Sequence, residues 1–148
     1  LKAVARLRET VPAEATVSVT SYNRTVLITG EAPTEAARTA AEQAVARIDN
    51  VRATVNELAV MGSTSVSARG NDSILSSKVK AAFVDAKDLQ ANTIKVVTER
   101  GTVYLMGRVT EREANRAAEL ARATSGVGKV VKVFEILSEA ELNALQAR

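Results

Sequence analysis

The sequence predicts an α+β chain with two αββαβ domains, each a three-stranded mixed sheet with two helices on one face. Three observations lead to this prediction. First, Gly30 and Gly107 lie 77 residues apart, and the residues around them are repeated at that offset. Second, alternating apolar and polar residues flank a short turn in each repeat, which is typical of a β-hairpin. Third, apolar residues at helical spacing lie before and after the second hairpin.

The repeat is strongest in the helix that follows each glycine. Six identities fall in one ten-residue stretch, more than a general richness in alanine explains. They join Ala37, Ala40, Ala41, Glu42, Ala44 and Ala46 to Ala114, Ala117, Ala118, Glu119, Ala121 and Ala123. After one deletion, Val51 and Val55 match Val127 and Val131. Two copies are too few for a solenoid, so they predict two small domains of the same fold.

The second repeat shows all five elements in order. Asn71, Asp72 and Ser73 offer N-caps for a helix over residues 74–89. The core stripe of this helix consists of Leu75, Val79, Ala82, Phe83 and Ala86. Alternation on both sides of Arg100 and Gly101 predicts a hairpin whose glycine supplies a positive φ, and Gly107 is expected to end the second strand.

Capping signals place the later elements. Thr110 and Glu113 form a capping-box pattern at the start of a helix, Gly126 is expected to end that helix, and "KVVKVFEIL" is the last strand. The first repeat has the same order, with Asn23 near its hairpin turn and Pro33 near its second helix. Its opening helix, "LKAVARLRE", is expected to be cut short, because the sequence starts without a methionine and looks like a trimmed fragment.

These elements predict a division of the chain into four parts. The first domain covers residues 1–61, and a Ser/Gly-rich linker covers residues 62–72. The second domain covers residues 73–138. Ser138 and Glu141 form another capping-box pattern, which predicts a short C-terminal helix over residues 139–148.

The composition argues against an enzyme. The chain has no histidine and no cysteine, which excludes disulfides, thiol nucleophiles, histidine relays and the usual zinc sites. No spacing of serine, lysine or carboxylates indicates a nucleophile beside a base. The sequence therefore predicts no catalytic residues, no cofactor and no metal site. No apolar run approaches the length of a membrane span.

The charge is distributed unevenly between the two repeats. Residues 1–61 hold seven Lys/Arg and seven Asp/Glu, whereas residues 62–148 hold thirteen and ten, so the whole excess of +3 lies in the second part. A basic excess favours anionic partners. Nucleic acid is not expected among them, because the basic residues are interleaved with acidic ones and aromatic residues make up only 3% of the chain.

The chain resembles the BON domain family, in tandem as in the dual-BON outer-membrane lipoproteins of Gram-negative bacteria. The matching segments are "TVLITGEAPTEAARTAAEQAVARIDNVRATVNEL" and "TVYLMGRVTEREANRAAELARATSGVGKVVKVFEIL", with "GNDSILSSKVKAAFVDAKDL" before the second. The resemblance implies a non-enzymatic envelope protein at the periplasmic, inner face of the outer membrane that supports envelope integrity. It also implies that the first helix of the second domain binds anionic phospholipid. The cysteine that is lipidated in such proteins is absent from this sequence.

The residues themselves point to the same helix. With Leu75 and Val79 turned inward, the predicted lipid-binding residues lie on the outward side: Ile74, Ser77, Lys78, Lys80, Ala81 and Val84. An apolar strip beside lysines suits a membrane interface, although isolated apolar surface residues are also common. Relatives can carry a tryptophan where this chain has Ile74, and isoleucine lacks the interfacial preference of an indole.

One alternative function stays open at this point. The chain could be a protein-interaction scaffold in the periplasm that recognises an envelope protein through a sheet or the linker. Tyr104 and Met106 alternate with Val103 and Leu105, so the second sheet has two partly apolar faces. One face should cover the helices, and the other either packs on the first domain or is partly exposed.

Overall fold

A computed structural model describes residues 16–61 and 66–146. The chain divides into two compact units, Leu1–Val66 and Ser67–Arg148. In the first unit the described elements are β1 (Thr16–Tyr22), β2 (Thr25–Ala32), α1 (Glu35–Ala46), β3 (Ala53–Asn56) and β4 (Ala59–Val60). The second unit has α2 (Val66–Asp85), a 3-10 turn (Ala91–Thr93), β5 (Ile94–Glu99), β6 (Thr102–Thr110), α3 (Glu111–Ala123), β7 (Lys129–Leu137) and α4 (Glu139–Gln146).

The first unit forms a mixed sheet around β2. Strand β1 pairs with it antiparallel, and β3 and then β4 pair with it parallel along the other side. The hairpin turn places Asn23 and Arg24 at positive φ. Helix α1 covers one face with its small residues, which are Ala37, Ala41, Ala44 and Val45. The predicted opening helix, "LKAVARLRE", lies outside the described residues.

The second unit has the strand order β5-β6-β7, with β5 antiparallel and β7 parallel to β6. Its core joins Val79 and Phe83 of α2 to Val103 and Leu105 of β6. The alanines of α3 complete this core, namely Ala114, Ala117, Ala118 and Ala121. Small side chains on α3 let the helix lie close to the sheet. The predicted α+β class, with two mixed sheets, is confirmed.

Helix α2 begins earlier than the sequence predicted. It starts at Val66, so the stretch of residues 62–72 that was expected to be a linker is helical from Val66 onward. Asp72 was expected as an N-cap, but its carboxylate instead accepts the backbone N–H groups of Arg100 at 2.7 Å and Gly101 at 2.9 Å. The sequence therefore suggested a local N-cap at Asp72, whereas its hydrogen-bond partners lie in the distant β5–β6 turn.

The repeated glycines do not end their strands. Strand β6 continues three residues beyond Gly107, which has a φ of 154°. A Cβ at this position would collide with the carbonyl oxygen of Thr93, so the backbone approach requires glycine here. Gly126 also lies beyond the helix it was expected to stop, since α3 ends at Ala123.

Both predicted capping boxes of the second unit are confirmed. The Thr110 hydroxyl accepts the N–H of Glu113 at 3.3 Å, and the Glu113 carboxylate accepts the N–H of Thr110 at 3.0 Å. Ser138 and Glu141 make the same reciprocal pair at the start of α4. Each pair satisfies backbone donors that the first turn of a helix leaves without partners.

Candidate membrane-binding surface

Contacts on its buried side fix the rotation of α2 about its axis. Leu75, Val79 and Phe83 are buried at intervals of four residues. Near the helix start, Ser76 Oγ lies 2.7 Å from Thr98 Oγ1 of β5, and the Asp72 carboxylate holds the β5–β6 turn. These contacts run along one side of the helix, so the opposite side must face away from the sheet.

All six residues predicted to bind lipid lie on that opposite side, and all six are exposed: Ile74, Ser77, Lys78, Lys80, Ala81 and Val84. Ile74 is 56% exposed and Val84 is 72% exposed, so both belong to the few large apolar side chains at the surface of the described residues. Their separation of ten residues corresponds to about 15 Å of helix. We call these six residues the α2 surface. That they bind lipid stays a prediction.

The α2 surface is narrow, and the side chains at its centre are small. Ser77 and Ala81 lie between the two large apolar residues, and the Ser77 hydroxyl donates to the carbonyl oxygen of Ser73 at 3.1 Å. This bond satisfies the hydroxyl within the helix and lowers the cost of moving it out of water. The surface therefore offers two apolar projections with small side chains between them.

Charged residues flank the α2 surface asymmetrically. Lys80 lies on one flank of the helix and is exposed, and exposed Lys87 follows in the turn after the helix ends at Asp85. Lys78 lies on the other flank, and a spacing of seven residues places exposed Asp85 on that flank two turns further along, about 10 Å away. The lysines favour an anionic surface and Asp85 opposes it. The sequence reasoning did not include this aspartate in the site.

A second acidic residue, Asp88, is neutralised by α3. Arg116 Nε lies 3.1 Å from Asp88 Oδ2, and Arg112 donates to the Asp88 backbone carbonyl at 3.2 Å. Arg112 Nη1 also lies 4.0 Å from Asp88 Oδ2. The end of α2 therefore presents no uncompensated negative charge at Asp88. The signal for this cluster was the arginine pair at i and i+4, but its partner is 24 to 28 residues away in the sequence.

A polar cleft of about 210 Å³ lies beside the start of α2, lined by Asp72, Ser73, Ser76, Thr98 and Glu99. The buried carboxylate in it, Asp72, already accepts two backbone N–H groups. Among residues 16–61 and 66–146, no three histidines, cysteines or carboxylates are grouped as metal ligands would be. None of the helices in this part of the chain is long and apolar enough to cross a membrane.

The sequence of the chain is similar to those of known proteins. The chain is 38% identical over 128 residues to the outer membrane lipoprotein DolP of Haemophilus influenzae, covering 86% of this chain and 66% of the relative. It is 35% identical over 121 residues to a 21 kDa hemolysin of Actinobacillus pleuropneumoniae, covering 82% of this chain and 62% of that one. The chain thus spans less than two thirds of the length of each of these relatives.

Among solved structures, CdsD, a structural protein of the type III secretion system of Chlamydia trachomatis, matches with a TM-score of 0.39 and 10% identity, covering 99% of this chain and 96% of that one. This likeness is too distant to support an argument. The family model for the BON domain, in contrast, matches residues 2–62 and again residues 71–138. The chain therefore belongs to the BON domain family and carries two copies of the domain in tandem.

Proposed function

We propose that this chain is a non-enzymatic envelope protein that binds anionic phospholipid through the α2 surface. The observation that carries the proposal is the exposure of Ile74 and Val84 on one face, with Lys78 and Lys80 on its flanks. Apolar side chains on such a face enter the boundary between head groups and acyl chains, while lysines stay at the level of the phosphates. The identity to a relative named as an outer membrane lipoprotein supports a location in the cell envelope. The inner, periplasmic face of the outer membrane is the location that we propose.

The expected affinity is low. Each lysine near an anionic surface contributes about 1 kcal/mol. Complete burial of one isoleucine or valine side chain contributes roughly 1.5–3 kcal/mol, and partial insertion contributes less. Two lysines and two partly inserted side chains therefore give weak, reversible binding. Stable attachment would need a lipid anchor or several copies of the surface.

The test is co-sedimentation of the whole chain with vesicles of phosphatidylglycerol and phosphatidylcholine, at two ionic strengths. Ile74→Asp removes an apolar projection and adds a negative charge, so we expect weaker binding at both ionic strengths. Lys78→Glu combined with Lys80→Glu should weaken binding most at low salt, because salt screens the attraction. Vesicles of phosphatidylcholine alone should retain little of the unmodified chain.

A matched control separates local contact from overall charge. Lys95 and Arg122 are exposed residues of the same unit outside α2 and outside β7, and changing both to glutamate alters the net charge by the same amount. This control variant should bind better than the Lys78/Lys80 variant. Circular dichroism must show that every variant is folded. Equal binding by the unmodified chain and folded α2 variants would show that the contact lies elsewhere.

A further inference from the structure

At the edge of the first sheet formed by β3 and β4, a side chain hydrogen-bonds to the outward backbone carbonyls. The N–H of Glu57 donates to Ile28 of β2 at 2.8 Å, so the neighbouring backbone groups of Asn56 and Leu58 point away from β2. Arg38 of α1 donates to both of these outward carbonyl oxygens at 2.9 Å. Asn56 closes the arrangement by donating to the Arg38 carbonyl at 2.9 Å. We call this arrangement the Arg38 clamp.

The same edge of the second sheet has no such clamp. The register of β6 with β7 pairs Leu105 with Lys132, as Ile28 pairs with Asn56 in the first unit. The Gly128 N–H donates to the Gly101 carbonyl as the Arg52 N–H donates to that of Arg24, so the two parallel ladders have the same hydrogen-bond phase. The outward carbonyls of β7 are therefore those of Lys132 and Phe134. The position of Arg38 is taken by Asn115, which accepts a hydrogen bond from the Lys132 side chain at 3.2 Å. No side chain in the described part of the chain donates to either outward carbonyl.

Strand β7 is also long and rich in residues that favour strands. It is an edge strand of nine residues, whereas β3 and β4 have four and two. Val130, Val131, Val133 and Phe134 are half-buried, and Ile136 is 52% exposed. A long apolar edge with open backbone groups is a template for another strand. Lys132 and Glu135 are the only charged residues within it after Lys129.

We propose that β7 pairs antiparallel with β7 of a second copy of this chain, with the two-fold axis passing beside Val133. This pairing keeps each face of the sheet continuous. It places Val130 opposite Ile136 of the other copy, and Val133 opposite itself. Lys132 then faces Phe134, and Glu135 faces Val131, so no like charges are opposed. A single strand therefore supplies both halves of a self-complementary, isologous contact.

A cysteine at the two-fold position tests the pairing directly, because the chain has no cysteine of its own. The backbone groups of Val133 point toward β6, so Val133 and its symmetry mate form a non-hydrogen-bonded pair with Cα atoms about 4.5 Å apart. This distance is within the range for a disulfide. Under mild oxidation, Val133→Cys should give a covalent dimer at least several-fold faster than Glu57→Cys, the matching position on the clamped edge.

A second experiment introduces the Arg38 clamp into the second unit. In the Val133→Cys background, Asn115→Arg places a guanidinium beside the carbonyls of Lys132 and Phe134 and should lower the cross-linked fraction several-fold. Sedimentation of the unmodified chain should show a reversible dimer at high concentration. Equal cross-linking at residues 133 and 57, or no loss of cross-linking with a folded Asn115→Arg chain, would overturn the proposal. Binding of a different polypeptide at β7 without any homodimer would overturn it as well.

Discussion

The two BON domains have the same elements in the same order, but they differ at the surface. Three alanines of α1 and the three matching alanines of α3 are buried in both copies: Ala37, Ala41 and Ala44, with Ala114, Ala118 and Ala121. The helix position beside the sheet edge, in contrast, is Arg38 in the first copy and Asn115 in the second. Burial preserves what packing requires, and exposed positions are free to give each copy a different surface.

A side chain of α2 holds one loop of the second unit in place. In the second unit, Asp72 reaches from α2 to the β5–β6 turn and accepts two backbone N–H groups. Arg100 and Gly101 both have positive φ, as the two central residues of a tight two-residue hairpin turn require. The aspartate therefore ties the helix that carries the α2 surface to the sheet and acts together with the buried core residues to fix which side of α2 faces outward.

Loss of that tie should have the largest effect. Asp72→Ala leaves two backbone donors without their charged acceptor, and hydrogen bonds to charged groups contribute about 1.5–3 kcal/mol. We expect the free energy of unfolding in urea to fall by roughly 2–4 kcal/mol. Asp85→Ala, an exposed carboxylate on the same helix, should change it by less than about 0.5 kcal/mol. Similar values for the two variants would contradict the role given to Asp72.

Removal of the Arg38 clamp should have the next largest effect. Arg38→Ala loses two hydrogen bonds to the edge carbonyls, and we expect a loss of roughly 1–3 kcal/mol in the free energy of unfolding. Asn115→Ala, at the matching position, should cost less than about 0.5 kcal/mol, because its only side-chain partner among the residues that the structure describes is the exposed Lys132. Arg38→Lys should recover only part of the loss, since one ammonium group does not present the planar fork of a guanidinium. Equal costs at residues 38 and 115 would remove the distinction between the two edges.

The caps of α1 and α3 offer a smaller contrast. Thr34 accepts one backbone N–H, from Ala37 at 3.1 Å, at an exposed position. Thr110 is buried, and its hydroxyl also donates to the Glu113 carboxylate at 3.0 Å. Substitution of a capping threonine by alanine costs about 0.5–2 kcal/mol. We expect the cost of Thr110→Ala to lie near the upper end of this range and that of Thr34→Ala near the lower end. Thermal unfolding followed by calorimetry measures both costs. A larger loss for Thr34→Ala would contradict the greater weight given to the buried cap.

Local signals were enough to predict most of the fold. The hairpin turns, the alanine repeats and both capping boxes of the second unit depend on residues close together in sequence, and the structure has each of them. The predicted start of α2 was wrong because Gly70, Asn71 and Asp72 are residue types typical of a helix boundary. Asp72 instead has its hydrogen-bond partners 28 and 29 residues away. Strand β4 and the Arg38 clamp were missed for the same reason, since β4 depends on pairing with β2 and the clamp depends on contacts between α1 and a distant segment.

The exposed side of α2 followed from helical spacing once its core residues were known. Its six residues lie where the sequence predicted them, because Leu75, Val79 and Phe83 define the buried side. The charge around the surface was less predictable. Asp88 counts as a negative charge in the sequence, but Arg112 and Arg116 of α3 compensate it. Only Asp85 then remains as an acidic residue on the flank of Lys78.

That residue gives the smallest predicted effect and the sharpest test of the charge argument. Asp85→Asn removes a negative charge from the flank of the α2 surface that carries Lys78, without changing the size of the side chain. Binding to anionic vesicles should therefore become up to about fivefold tighter at low salt, the equivalent of about 1 kcal/mol. The gain should shrink as salt increases, because the charges are exposed and screened. Asp49→Asn makes the same change of net charge at an exposed position of the first unit and serves as the control. If the two variants bound anionic vesicles equally tightly, only the overall charge would matter. A gain confined to Asp85→Asn would instead locate the anionic surface at α2.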